Sequence, residues 1–159
     1  MDKRALVAAI ISSLEEELVL LINAARATHE AATHEESKPE NEYDTFGLEA
    51  SYLAGAQAKR AGEIDEVISM FKTTEFKNFS KTDRISSTAL VEVESKGKHS
   101  LVFVMPKGGG VNLNFAGKNV KVITPHSTLG EALLGLKAGE TAELEINEQM
   151  REYRILSVT

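Results

Sequence analysis

Residues 5–33 read ALVAAIISSLEEELVLLINAARATHEAAT, a stretch with neither Gly nor Pro. Apolar or small residues recur in it at Val7, Ile11, Leu14, Leu18, Leu21, Ala25, Thr28 and Ala32, always in steps of three or four. That stripe predicts one long helix with a seam facing a partner, since roughly 30 residues at ~1.5 Å each reach about 45 Å. The partner lies just downstream. Phe46, Leu53, Ala56, Arg60, Ile64, Val67 and Phe71 mark a second stripe, with alanines where two backbones can approach closely. Between the two runs, Pro39 disfavours helix at Lys38 and breaks the pattern. Residues 1–74 are therefore expected to form an antiparallel helical coiled-coil hairpin.

The expected turn, residues 35–44, carries Glu35, Glu36, Glu40, Glu42 and Asp44 beside the single base Lys38. Capping of the second helix by Asn41 or Asp44, with acids near its positive end, accounts for about two of the five acids. The others stand at the far end of a rod, where like charges add nothing to stability, so function is the better reason for them.

After a polar stretch at 75–83 that reads as a linker, the periodicity changes to short β-branched runs: Ala89–Glu94, Ser100–Met105, Val111–Phe115, Val120–Ile123, Ala142–Ile146 and Tyr153–Val158. These predict an antiparallel sheet in a third segment, 84–159. Ser127–Leu136 opens on an N-capping residue and reaches a stop at Gly135, a short helix placed to cover one sheet face. The whole is an α+β chain.

At 159 residues, 42% hydrophobic and 26% charged, the chain has the composition of one or two small globular domains. It has no Cys, which excludes disulfides, thiolate catalysis and Cys-bound zinc, and which fits a reducing compartment. The apolar runs near the N-terminus are interrupted by Glu15, Glu16 and Glu17, far short of the roughly 20 residues a membrane span needs. A cytoplasmic protein without a membrane partner is expected. Up to position 80 there are 8 basic against 15 acidic residues, and beyond it 10 against 9. Such an acidic front half disfavours independent binding of duplex DNA, which rests on cationic neutralisation of phosphates.

Other motifs are weaker. Gly108-Gly109-Gly110 lies in no phosphate-loop pattern and reads as a hairpin turn. His29 and His34 are five apart, so they cannot share a helix face as a zinc pair would. No G-x-S-x-G elbow is present. Lys96, Lys98, Lys107, Lys118 and Lys121 form a basic interval free of Asp and Glu. It reads either as lysines that blunt sheet edges or as a partner-facing patch.

Two stretches give the chain a resemblance to the Gre transcript-cleavage factors of bacterial RNA polymerase. Glu40-Asn41-Glu42-Tyr43 looks like the family's Glu-Asn-Ala-Glu-Tyr with the alanine missing. Ser127-Thr128-Leu129-Gly130-Glu131-Ala132-Leu133-Leu134-Gly135 is similar to the family's Ser-Pro-hydrophobic helix, with Thr128 in place of Pro, and Gly139-Glu140 and Glu152–Leu156 match its closing strands. The resemblance implies an FKBP-like C-terminal domain and a rod inserted through the secondary channel of core RNA polymerase, in indirect contact with nascent RNA. It implies rim contacts at His126, Ser127 and Thr128; Lys118 and Lys121, as the partner-facing reading of the basic interval, are taken as further polymerase-binding residues.

By the same resemblance, Glu40, Glu36 and Glu42 are the tip acids acting in trans, shaped by Ser37, Pro39, Asn41, Tyr43 and Asp44. Glu40 and Glu36 would share Mg²⁺ with the polymerase, the chain having no cofactor of its own and being an accessory factor rather than an enzyme. Carboxylate oxygens suit Mg²⁺ and two-metal phosphoryl transfer, although too few stand here to hold the ion alone. Aligned without gaps, the family's Asp falls on Ser37, which is no carboxylate. Stimulated cleavage of backtracked RNA and occupation of the channel without cleavage therefore both stand as readings. A prolyl isomerase pocket needs aromatic walls, and residues 84–159 offer only Phe103, Phe115 and Tyr153.

Overall fold

The computed structural model describes residues 2–34, 46–146 and 148–159. They divide into two compact units, one of Ile11–Lys72 and the other of Met1–Ile10 with Thr73–Thr159.

Two helices build the first unit. Helix α1 spans Lys3–Thr33 and α2 spans Phe46–Thr73. The Asp2 carboxylate opens α1 by accepting from the Arg4 and Ala5 amides at 2.9 and 3.3 Å, which satisfies two donors the first turn leaves free. Every position of the predicted α1 stripe from Val7 to Ala32 is buried or half-buried. Lys72 of α2 donates to Glu15 of α1 at 2.7 Å, the late end of one helix against the early half of the other, so the pair is antiparallel as expected. This ion pair and that of Arg60 with Glu17 are about half exposed, and such pairs contribute less than about 1 kcal/mol each.

The seam of α2 is a correction. Leu53, Ala56 and Arg60 are exposed, whereas the expected Ile64, Val67 and Phe71 are buried or half-buried; the line that stays out of solvent along the helix is Ala50, Ala54, Gln57, Ala61, Ile64, Ile68 and Phe71, with Gly47, Val67 and Met70 half-buried beside it. Those steps alternate strictly between four and three, the 3.5-residue period of a coiled coil. Alanine at so many positions gives that face little apolar contrast, and the large Leu53 draws the stripe to the wrong side.

In the second unit a six-stranded sheet runs in the order β3-β4-β2-β1-β6-β5. Its strands are β1 Leu90–Ser95, β2 Lys98–Val104, β3 Asn112–Phe115, β4 Lys118–Ile123, β5 Thr141–Ile146 and β6 Gln149–Val158. Two hairpins close on Lys96-Gly97 and Ala116-Gly117, where both central residues have positive φ (52° and 73°, 50° and 76°). This conformation matches the right-handed twist of the flanking strands. Four of the five strand pairs are antiparallel, but β2 and β4 pair in parallel, so the sheet is mixed rather than antiparallel throughout. The stretch containing Gly108–Gly110 explains the difference. It does not turn β2 back on itself; it carries the chain past the place beside β2, and β4 fills that place. The expected hairpin turn there is thus a crossover loop, fixed by Gly110 N donating to Val122 O at 3.1 Å.

One face of the sheet packs Val91, Val93, Val102, Val104, Ile123 and Ile155 against Leu133 of the short helix α3, Thr128–Leu133. On the other face Leu101, Phe103, Val120 and Val122 are buried, with the Phe76 ring 5.9 Å from that of Phe103. The stretch expected as a linker is fastened here. The Lys77 amide donates to Thr88 Oγ1 at 3.2 Å. Lys3 Nζ donates to the Lys77 and Thr88 carbonyls at 2.7 and 3.0 Å and lies 5.1 Å from the centre of the Phe79 ring. Thr88 is buried at φ 70°, an uncommon conformation for a β-branched residue, held by these bonds and by its own amide on Val104 O at 2.8 Å. Burial pushes the Lys3 ammonium down to about 8.

Candidate binding site

Strand β4 ends at Ile123 and the chain turns through Thr124-Pro125-His126 into α3. Ser127 organises that turn. Its hydroxyl accepts from the Gly130 amide at 3.1 Å and donates to Thr124 O at 2.8 Å, so one side chain caps the helix and ties it to the preceding loop. The helix lies so close to the loop that a Cβ at position 130 would stand 2.0 Å from Thr124 O and 3.0 Å from Pro125 O. Only glycine fits. At the other end the Gly135 amide donates to Ile85 O at 2.9 Å, and Arg84 donates to Gly135 O at 2.6 Å.

Beside α3 opens a cleft of about 590 Å³. Leu129, Leu144, Ile146 and Tyr153 give it apolar walls, while Lys121, Ser127, Thr128 and Glu145 line it with polar groups, and Gly109 and Gly110 of the crossover loop border it. Apolar walls with a few polar groups are the composition of a recognition surface. The Ser127 hydroxyl proton is already committed to Thr124 O, so that serine is a structural cap rather than a nucleophile.

The structure thus brings Lys121, Ser127 and Thr128 to one cleft, with His126 exposed in the turn that leads into it. It does not bring Lys118 there. Three residues apart on one strand, Lys118 and Lys121 project from opposite faces of the sheet. Lys118 Nζ donates instead to Glu92 Oε1 at 2.6 Å, and His99 Nδ1 lies 3.5 Å from the same oxygen. The Lys118 ammonium holds the Glu92 carboxyl below the usual carboxylate range. The basic interval hid this acid because Glu92 lies 26 residues upstream and two strands away. Tyr153 and Leu144 also escaped as site residues, since they reach the cleft only through the pairing of β5 with β6.

Glu36, Ser37, Pro39, Glu40, Asn41, Glu42, Tyr43 and Asp44, the expected acidic tip, lie outside the described residues. Among the described residues no three His, Asp or Glu side chains gather as a metal site, and no helix is long and apolar enough to cross a membrane.

Residues 80–159 match the family model described as transcription elongation factor, GreA/GreB, C-terminal. Among solved structures, the chain is similar to GreA factor homolog 1 (Gfh1) of Thermus thermophilus, at 20% identity over 94% of each chain with a TM-score of 0.38. It is likewise similar to Gfh1 of Thermus aquaticus, at 21% identity over 95% of this chain and 92% of that one with a TM-score of 0.37. The GreA/GreB elongation factor of Nitrosomonas europaea matches at 18% identity over 60% and 78%, with a TM-score of 0.36. No curated protein matches the chain.

Proposed function

Because this chain belongs to the GreA/GreB family of transcription elongation factors, we propose that it binds core RNA polymerase at the secondary channel and regulates elongation there. The observation that carries the reading is the family match over residues 80–159, preceded by two long helices whose seams keep a coiled-coil period. The α3 cleft, with Lys121 and Thr128 at its opening and His126 beside it, serves as the polymerase-gripping surface; the hairpin serves as the inserted rod. Glu40, with Glu36 or Glu42, faces the polymerase active centre. Carboxylates are the oxygen donors Mg²⁺ prefers, so these acids suit a share in an ion that the polymerase holds, and any hydrolysis of RNA belongs to the polymerase. A rod engaged in this way meets nascent RNA only indirectly.

A second reading, occupation of the channel without cleavage, is favoured by Ser37, which puts a hydroxyl where the family carries an acid. Backtracked complexes of the host polymerase separate the two, with shortening of 3′-labelled RNA and co-migration measured together. Under the cleavage reading Glu40→Gln abolishes shortening and leaves binding intact. Under the second, the unaltered chain binds and shortens nothing. In both, Lys121→Glu weakens binding; unchanged affinity would remove the cleft from the account.

A further inference from the structure

The fold draws the Lys3 ammonium inward without a counter-ion. Among the described residues no carboxylate pairs with it, and its acceptors are the Lys77 and Thr88 carbonyl oxygens at 2.7 and 3.0 Å. Asp2, the acid nearest in sequence, is committed to capping α1 through the Arg4 and Ala5 amides. An ammonium carries three donors and an amine two. Loss of one proton therefore costs Lys3 neither carbonyl bond and leaves a lone pair in place of the third donor. Burial favours that loss, pushing the group down to about 8 from the ordinary 10.5. At about pH 7.5 roughly one Lys3 in four is neutral, against roughly one in a thousand for an ordinary lysine. The amine can also be reached. Asp2, Lys3, Arg4, Asn78, Phe79 and Thr159 line a cavity of about 390 Å³. Arg4 and Asn78 bring exposed donors to it, and an arginine fork suits a phosphate group. A desolvated lysine beside such an opening is an activated nucleophile.

We propose that Lys3 is an acylation site that takes an acyl group from an acyl phosphate entering this cavity, and that acylation releases the segment Lys3 fastens. In the transfer the Nζ lone pair forms a bond to the acyl carbon and the carbon–oxygen bond to phosphate breaks. Inorganic phosphate leaves with that electron pair, and one amine proton passes to it. The amide so formed has a single N–H, so one of the two carbonyls loses its partner. The positive charge 5.1 Å from the centre of the Phe79 ring is lost as well. Thr88 is the residue most exposed to the change, because its φ of 70° is held in part by the bond from Lys3. All of this holds whether or not the chain binds polymerase.

Acetyl phosphate is the probe, added to the full chain at about pH 7.5 and again in concentrated urea, with acetylation of each lysine followed by mass spectrometry of peptides. In the fold Lys3 should react about tenfold or more faster than the exposed Lys96 and Lys98, its excess of neutral amine outweighing its lower basicity. In urea the three should react alike. Once Lys3 carries the acetyl group, hydrogen exchange at the Lys77 and Thr88 amides should quicken by roughly two- to tenfold, with the Val91 amide of the central strand β1 unchanged. Lys3 reacting no faster than Lys96 and Lys98 in the fold, or keeping the same lead in urea, overturns the site. Unchanged exchange at both amides of the acetylated chain overturns the release.

Discussion

Gly130→Ala places a methyl group where the structure has no room for one. The added Cβ would stand 2.0 Å from the Thr124 carbonyl oxygen, and 3.0 Å from both Pro125 O and Ser127 Oγ. Two of these three are backbone atoms, so no side-chain rotation relieves the clash. The helix must lift from the loop by more than about 1 Å, because an ordinary carbon–oxygen contact is about 3.3 Å or more. Lifting it breaks the Ser127 cap, which contributes about 1 kcal/mol. It also strains the packing of Leu133 on the sheet, and overfilling of this kind costs about 1–3 kcal/mol. Alanine recovers about 1 kcal/mol over glycine within a helix. The net loss is about 1–3 kcal/mol, or a fall in melting temperature of roughly 3–10 °C for a chain of this size. Thermal denaturation reads the total, and hydrogen exchange at the Glu131 and Leu134 amides, which bond Ser127 O and Gly130 O, reads the local opening. Gly62→Ala in α2 is the counterpart: with nothing within 4 Å of its Cβ, it should raise stability by up to about 1 kcal/mol. A Gly130→Ala protein as stable as the parent, with unchanged exchange at both amides, would refute the close-approach argument.

Two further predictions concern charge. Glu92 has a carboxyl lowered by Lys118, so its pair contributes stability above the ordinary carboxylate range and loses it as pH falls through the lowered folded-state value. Glu92→Gln should therefore flatten the acid limb of a urea-denaturation series against pH, and an unchanged limb would count against the pair. Lys3 titrates the other way. Its ordinary value of 10.5 falls to about 8 in the fold, so the unfolded chain binds the extra proton between those values and stability should rise with pH across that window. Partial exposure and its two carbonyl partners reduce the gain to about 1–2 kcal/mol, and Lys3→Met should abolish the rise.

How much of this was legible in sequence depended on contrast. The α1 seam was plain because large apolar residues stand out among Glu, Ser and Ala. The α2 helix was also legible, but its rotation was not, since alanines occupy seamward and outward positions alike. All six strands were visible as β-branched runs, though β6 starts four residues earlier than expected because Gln149, Met150, Arg151 and Glu152 carry no apolar alternation. The parallel pairing of β2 with β4 was hidden because pairing is non-local and the crossover loop looked like a turn. Alternation along β4 was enough to separate Lys118 from Lys121; the lack of acids nearby in sequence concealed the Glu92 partner. The Ser127 cap was read correctly from its position before an apolar run, whereas the cleft beside it needed the register of β5 on β6.

This chain is proposed to work on RNA polymerase. The most direct test is to add the purified protein to backtracked complexes of its own host's core polymerase with Mg²⁺ and follow co-migration of the two together with the length of 3′-labelled RNA. Co-migration that Lys121→Glu weakens is the expected result. Failure of the unaltered chain to bind the polymerase, free or backtracked, would contradict it.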